Sequence, residues 1–185
     1  MKEFVRTILD YPVKGIQFRD ITTLLQDAGH FKQVVDEMTE PWKNMEIDAI
    51  LSIEARGFIM AGAIAYKLGA AFVPLRKPDK LPGKTFGVSF DLEYGKTEMH
   101  IHQDALEKHE RLLIIDDLLA TGGTALAAVE LLEKFPGKTL LGAGFIIDLP
   151  ELGGAQRLAE KNKRTSKSSK KTGAGITSSS AHGIK

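Results

Sequence analysis

Four short apolar runs dominate the sequence: Ala49 to Ile53, Ala71 to Leu75, Arg111 to Asp116 with Leu112-Leu113-Ile114-Ile115 at its centre, and Leu140 to Ile147. They lack the polar alternation of a half-buried strand and are too short for a helix that packs alone. That is the pattern of strands buried on both faces. Helical periodicity fills the intervals. Asp27 is placed to cap a helix running from Ala28 towards Trp42, with Phe31, Val34, Val35 and Met38 at i, i+3, i+4 and i+7. Gly57 to Leu68 reads as a second helix ended by Gly69, and Gly123 to Lys134 as a third. Strands and helices in alternation predict an α/β fold, a central and mostly parallel sheet flanked by helices.

Three regions break that rhythm. Residues 76–102 are too long for a strand-to-helix loop. Within them Phe86, Val88, Phe90 and Leu92 alternate with polar or small residues, as do Met99 and Ile101 with Glu98, His100 and His102. With Tyr94-Gly95-Lys96 between, the segment reads as a mobile two-stranded excursion. Residues 1–26 do not fit the sheet, and Ile16 to Leu25 reads as a separate flap. Beyond Leu158 apolar residues become scarce, and residues 161–185 have the Ser-, Lys- and Gly-rich composition of a disordered tail. The expected organisation is one domain over 1–160 and a basic tail.

Composition narrows the function classes. The chain of 185 residues has no cysteine, which excludes disulfides and thiolate metal sites. No apolar run approaches the length of a membrane span, and the charged start is unlike a secretory signal, so a cytoplasmic protein without a membrane partner is expected. The net charge of +1 conceals an asymmetry: the tail carries seven basic residues and no acidic one, leaving the body acidic. An acidic body argues against nucleic acid as a partner. His30, His100, His102, His109 and His182 do not form a metal-ligand spacing, and Trp42 reads as core or interface.

The chemistry-bearing motif is Leu112 to Thr124, in which a buried strand delivers Asp116 and Asp117 to its carboxyl end. A loop of Ala120, Thr121, Gly122, Gly123 and Thr124 then opens a helix. Ligands of such sheets bind at the carboxyl ends of strands. Loop amides and a helix start make a phosphate site, to which Thr121 and Thr124 add hydroxyls. Two carboxylates beside a phosphate suit neutral hydroxyls or a cation, and phosphate plus diol describes a ribose 5-phosphate. Alone, an Asp-Asp pair reads first as a helix cap and solvated acids; the apolar strand before it and the Gly-Gly turn after it reverse that preference. The motif lacks the lysine of a Walker loop and is not G-x-G-x-x-G.

This segment resembles the phosphoribosyl pyrophosphate (PRPP) motif of the type I phosphoribosyltransferases. Ser52 to Phe58, Arg76-Lys77, Lys80 to Thr85, Leu92 to Gly95 and Gly15 to Ile21 extend the resemblance, specifically to the adenine phosphoribosyltransferases, across roughly residues 8–158. The resemblance implies the type I fold, a homodimer, and transfer of the phosphoribosyl group of PRPP to adenine with Mg²⁺, giving AMP and pyrophosphate in purine salvage. It implies that Asp116 and Asp117 hold the ribose and that the loop Ala120 to Thr124 holds its phosphate. Glu54, Ala55, Arg56, Arg76, Lys77, Lys80 and Tyr94 would face pyrophosphate. Phe18, Arg19, Asp20 and Leu119 would surround the base, and Glu93 would exchange a proton with the purine. Asp116, Asp117, Arg56 and Glu93 are thereby the catalytic set, with Mg²⁺ held by substrate rather than directly by protein side chains.

Two other readings remain at this point. One is a transferase for another purine base. The other is a PRPP-sensing regulator on the same fold, for which the basic tail is the one feature in favour. After Leu158 the sequence also departs from the family pattern, which leaves the last edge of the sheet undetermined.

Overall fold

The computed structural model describes residues 2–92, 95–169 and 179–184. Its centre is a parallel sheet with strand order β4-β3-β7-β8-β9, formed by Ala71–Leu75 (β4), Ala49–Ile53 (β3), Arg111–Leu119 (β7), Thr139–Asp148 (β8) and Ser179–Ile184 (β9). The other strands form two antiparallel ribbons. Arg6–Leu9 (β1) pairs with Gln17–Asp20 (β2), and Thr85–Leu92 (β5) pairs with Gly95–His102 (β6). Among the described residues no helix is long and apolar enough to cross a membrane.

Side-chain alternation along the central strands feeds two cores. Ala49, Leu51, Ile53, Leu112 and Ile114 pack on one face with Ala127, Ala128 and Leu131 of helix α4, Gly123–Leu132. Ile50, Leu113 and Ile115 pack on the other with Val34, Val35 and Met38 of α2, Ala28–Thr39, and with Met60 and Ile64 of α3, Gly57–Leu68. Because the side-chain period of a strand is two, a continuously apolar run is what burial on both faces requires. Asp27 Oδ1 accepts from the His30 amide as the helix cap, and Gly69 ends α3 at φ +69°. A short helix over residues 40–42 follows α2, and its Trp42 is fully buried, as the core reading expects.

The β5–β6 ribbon is the expected two-stranded excursion, and its described part packs on the first core. Val88, Met99 and Ile101 are buried in the first core, and Phe86 packs edge-on against Phe135 at 5.2 Å between centroids. Its near end is tied to β4 by the reciprocal backbone hydrogen bonds of Arg76 and His100, 3.0 and 2.7 Å long. The β1–β2 ribbon is a separate flap, joined to the body through the one-turn helix α1, Thr22–Leu25, where Leu24 is fully buried.

At the carboxyl end, the compositional boundary at residue 160 falls inside a helix. Helix α5 spans Gly154–Ser169, and Lys161 Nζ lies 2.8 Å from Glu133 Oε1. Ala, Gln, Arg, Glu and Lys are good helix formers whatever their burial, so a polar stretch can continue a helix whose first turns are anchored. The sheet edge is taken by β9, which pairs with β8 through the main chain. Such pairing does not need the apolar side chains that the sequence reading sought there. The remainder of the expected tail, residues 170–178 and 185, lies outside the described residues.

Candidate active site

The carboxyl ends of β3 and β7 face one cleft of about 240 Å³. It is lined by residues 53–56 after β3 and by residues 116–125, which run from β7 through the loop into α4. This is where a parallel sheet presents ligand-binding groups. Gly122 sits before α4 with φ +83°, a left-handed conformation that a side chain disfavours, and so turns the chain from strand to helix within three residues. Thr121, Gly123 and Thr124 remain partly exposed in the cleft, while Leu119 is a buried wall of it.

Asp116 and Asp117 are both buried, at 7% and 6% exposure. Asp116 Oδ1 accepts from the Asp117 amide at 2.9 Å. Burial, followed by the neighbouring charge of Asp117, pushes the Asp116 carboxyl well above the usual carboxylate range. Burial also raises Asp117, but Arg56 opposes it, with Nε 2.7 Å from Asp117 Oδ2 in an ion pair whose angles fall outside hydrogen-bond geometry. Of the two acids, Asp117 is therefore the one with a cation against it.

The loop Glu54-Ala55-Arg56 joins β3 to α3, and its Glu54–Ala55 peptide bond is cis. Arg76 grips Glu54 in a fork, with Nε donating to Oε2 at 3.1 Å and Nη2 to Oε1 at 3.3 Å. The Lys77 amide adds a 3.2 Å bond to Glu54 Oε2, and Arg76 Nη1 donates to the Lys80 carbonyl oxygen at 3.1 Å. The Arg76 hydrogen bonds hold the Glu54 carboxyl below its ordinary value. Expected pyrophosphate contacts thus meet in one network, in which Arg76 braces the 54–56 loop. The side chains of Lys77 and Lys80 stay exposed.

Phe18 reaches this site through Arg56, whose guanidinium carbon lies 5.0 Å from the centre of its ring. The Arg19 and Asp20 side chains are committed to the flap instead. Arg19 donates to Thr7 and, at 3.3 Å, to Gln17 Oε1. Asp20 accepts from Arg6 Nε at 3.0 Å and from the Thr22 amide at 2.9 Å. That amide bond first, with Arg6, lowers the Asp20 carboxyl to about 2. Glu93 and Tyr94 lie outside the described residues. The end of the ribbon that precedes them meets the 120–124 loop: a Cβ built on Gly123 would sit 3.3 Å from the Asp91 carbonyl oxygen.

The model for the phosphoribosyl transferase domain matches residues 22–172. The chain belongs to the phosphoribosyl transferase family. A relative named adenine phosphoribosyltransferase from Bradyrhizobium sp. (strain ORS 278) is 56% identical over 158 residues, covering 85% of this chain and 88% of the relative. Another of that name, from Beijerinckia indica, is 52% identical over the same shares. The crystal structure of adenine phosphoribosyltransferase from Thermoanaerobacter pseudethanolicus is similar at a TM-score of 0.80 and 39% identity, covering 95% of this chain and 94% of that one. The Saccharomyces cerevisiae enzyme, solved with a bisphosphate imino-altritol and adenine, is similar at a TM-score of 0.78 and 34% identity, covering 84% and 90%.

Within this phosphoribosyl transferase fold the sequence reading did not foresee the close packing of Gly57 on Ser52 and Asp116, or of Gly154 on the 120–122 loop. A Cβ on Gly57 would lie 2.5 Å from Asp116 Oδ1 and 2.7 Å from Ser52 Oγ, so α3 starts directly against the acid pair. The signal available was a glycine at the first position of a predicted helix, where it lowers propensity.

The raised Asp116 carboxyl has a consequence for stability. A carboxyl whose folded value exceeds its unfolded one favours folding below the unfolded value. That contribution is lost, and turns into a penalty, as pH rises through the range above it. Ligand-free protein should therefore lose stability with rising pH relative to an Asp116→Asn variant, which melts higher at neutral pH, by roughly 2–4 °C for each kcal/mol relieved. Parallel melting curves for the two proteins between pH 5 and 8 would contradict this.

Proposed function

We propose that the chain transfers the 5-phosphoribosyl group of PRPP to adenine, releasing AMP and pyrophosphate. The observation that supports this reading is that a buried acid pair and a glycine loop at a helix start line one cleft. Asp116 and Asp117 take the 2- and 3-hydroxyls of the ribose, and Ala120 to Thr124 take its 5-phosphate. Positive charge developing on the sugar ring favours ionisation of the acids, so their stabilising effect grows towards the transition state. Arg56 turns from Asp117 to the leaving pyrophosphate, assisted by Lys77 and Lys80. Arg76 keeps the 54–56 loop in place for it.

The base lies between Phe18 and Leu119, with backbone groups of the flap reading its edge. Glu93 exchanges a proton with the purine, and Tyr94 excludes water. Proton transfer of this kind contributes about 10²–10⁴-fold.

Among the described residues no group of three or more His, Asp or Glu side chains converges on a point. The acids lining the cleft are Glu54, Asp116 and Asp117, and arginines already engage Glu54 and Asp117. That donor set fits a Mg²⁺ ion carried on the oxygens of PRPP, which Asp116 and Asp117 would face across the cleft they line. When bound, the ion neutralises charge on the departing pyrophosphate.

A homodimer suits the exposed apolar side chains of α3 and the β4 edge, where Ile59, Tyr66 and Phe72 are 48%, 91% and 38% exposed. A cytoplasmic setting suits a cysteine-free chain that acts on nucleotides.

The test is pyrophosphate release from PRPP with each purine base. Adenine should support turnover, guanine and hypoxanthine little, and chelation of Mg²⁺ should stop it. A guanine rate at or above the adenine rate would reassign the base. PRPP binding without turnover on any base would make the chain a sensor.

A further inference from the structure

The phosphate loop does not stand free of the segment that follows β8. A Cβ on Gly154 would lie 2.3 Å from the Ala120 carbonyl oxygen, 3.0 Å from the Gly122 nitrogen and 3.1 Å from Leu119 Cδ1. The relation is mutual, since a Cβ on Gly122 would lie 3.0 Å from Gly154 Cα and 3.1 Å from its carbonyl oxygen. Two main chains meet here without room for a methyl group. We propose that Gly154, the first residue of α5, is a positioning residue for the phosphate loop, setting where the Ala120–Gly122 amides stand relative to the ribose phosphate. The proposal rests on the reading that this loop takes that phosphate.

Three further observations make Gly154 a fixed seat. Gly153, at φ +72°, closes the short helical turn before it, so the entry of α5 is set by a defined turn. Ala155 and Leu158 of α5 pack with Leu119, Ala125 and Phe145, an apolar cluster directly beneath the loop. On its other side, Gly123 approaches the Asp91 carbonyl oxygen of the β5–β6 ribbon. The loop is in close contact with both segments, and bulk added at residue 154 must displace its Ala120–Gly122 main chain. A contact at 2.3 Å must open by about 1 Å to reach ordinary van der Waals separation, and misplacement on that scale costs about 10²-fold in rate.

The experiment compares wild type with Gly154→Ala in steady-state kinetics and in calorimetric binding of ribose 5-phosphate, the smallest ligand with both the phosphate and the diol. The variant should lose about 10²-fold in kcat/KM for PRPP and bind ribose 5-phosphate correspondingly less well, while the KM for adenine changes little. A general structural defect would move both KM values together. If the folded variant binds ribose 5-phosphate as wild type does, the proposal is wrong. If Gly154→Ala does not fold, Leu158→Ala decides, because it loosens the same seat without adding bulk. Measured well below its melting temperature, it should weaken ribose 5-phosphate binding, and unchanged binding would overturn the proposal. Failure of wild type itself to bind ribose 5-phosphate would refute the functional reading, not the packing argument.

Discussion

Asp117→Asn should lower kcat/KM for PRPP by about 10²–10³-fold, the usual cost of removing one preorganised charge from a transition state. The substitution keeps the shape of the side chain and removes the charge that Arg56 supports at 2.7 Å. Folding should survive. Arg56 is 38% exposed at its side chain, so losing its partner does not strand a buried cation. Burial also disfavours the Asp117 carboxylate in the ligand-free protein, so a neutral amide relieves that cost. Loss of turnover with a retained circular dichroism spectrum and melting temperature is the expected pair of results. A folded variant with unchanged kcat/KM would remove Asp117 from the ribose site.

Gly57→Ala should be nearly as damaging to activity and should destabilise the fold as well. A methyl group there would meet Asp116 Oδ1 at 2.5 Å and Ser52 Oγ at 2.7 Å, and the Asp116 main chain stands behind at 3.3 Å. Either α3 backs away from β7 or Asp116 turns out of the cleft. Overpacking of this kind costs about 1–3 kcal/mol. Displacing the carboxylate by about 1 Å adds a loss near 10²-fold in kcat/KM. Gly62→Ala is the matched control on the same helix, because a Cβ there meets nothing within 4 Å. It should leave activity alone and raise stability by about 0.5–1 kcal/mol, the gain of Ala over Gly inside a helix. Equal behaviour of the two variants, measured by chemical denaturation and PRPP kinetics, would refute the close approach.

The central architecture was legible because its signals are local. Ala49–Ile53, Gly57–Leu68 and Ala71–Leu75 were delimited by the length of their apolar runs and by Gly69, and the structure has these bounds. The acid pair and phosphate loop were legible because strand, acids and glycines are contiguous in the chain. Contacts between distant segments were not. Nothing in the composition of Gly153-Gly154 says that it lies on Ala120, some thirty residues earlier, or that Glu54 holds Arg76. The resemblance placed Arg19 and Asp20 with Phe18 at the base; their side chains pair with Thr7 and Arg6 of the flap, contacts that residues 18–20 read alone do not reveal. At the carboxyl end composition marked a boundary at residue 160, because composition measures the drive to bury side chains, whereas α5 and β9 are continued by main-chain hydrogen bonds.

The flap is held on unequal terms with the rest of the molecule. Its two strands of four residues form a sheet of their own, and every residue of β1 is exposed. A two-stranded ribbon is marginally stable by itself in water. Among the described residues its attachments include the Thr23 hydroxyl on the Phe4 carbonyl oxygen, the stacking of Phe4 on His30, the packing of Phe4 and Val5 on the second core, and Phe18 against Arg56. Releasing them leaves both cores whole, since Leu24 and Ile21 anchor the chain beyond the ribbon. The free energy of opening this segment is thus a small fraction of that for unfolding the sheet, and the two processes are thermodynamically separate. The fold keeps a low-cost local transition beside Arg56 at the cleft, while the strand that carries Asp116 and Asp117 stays in register.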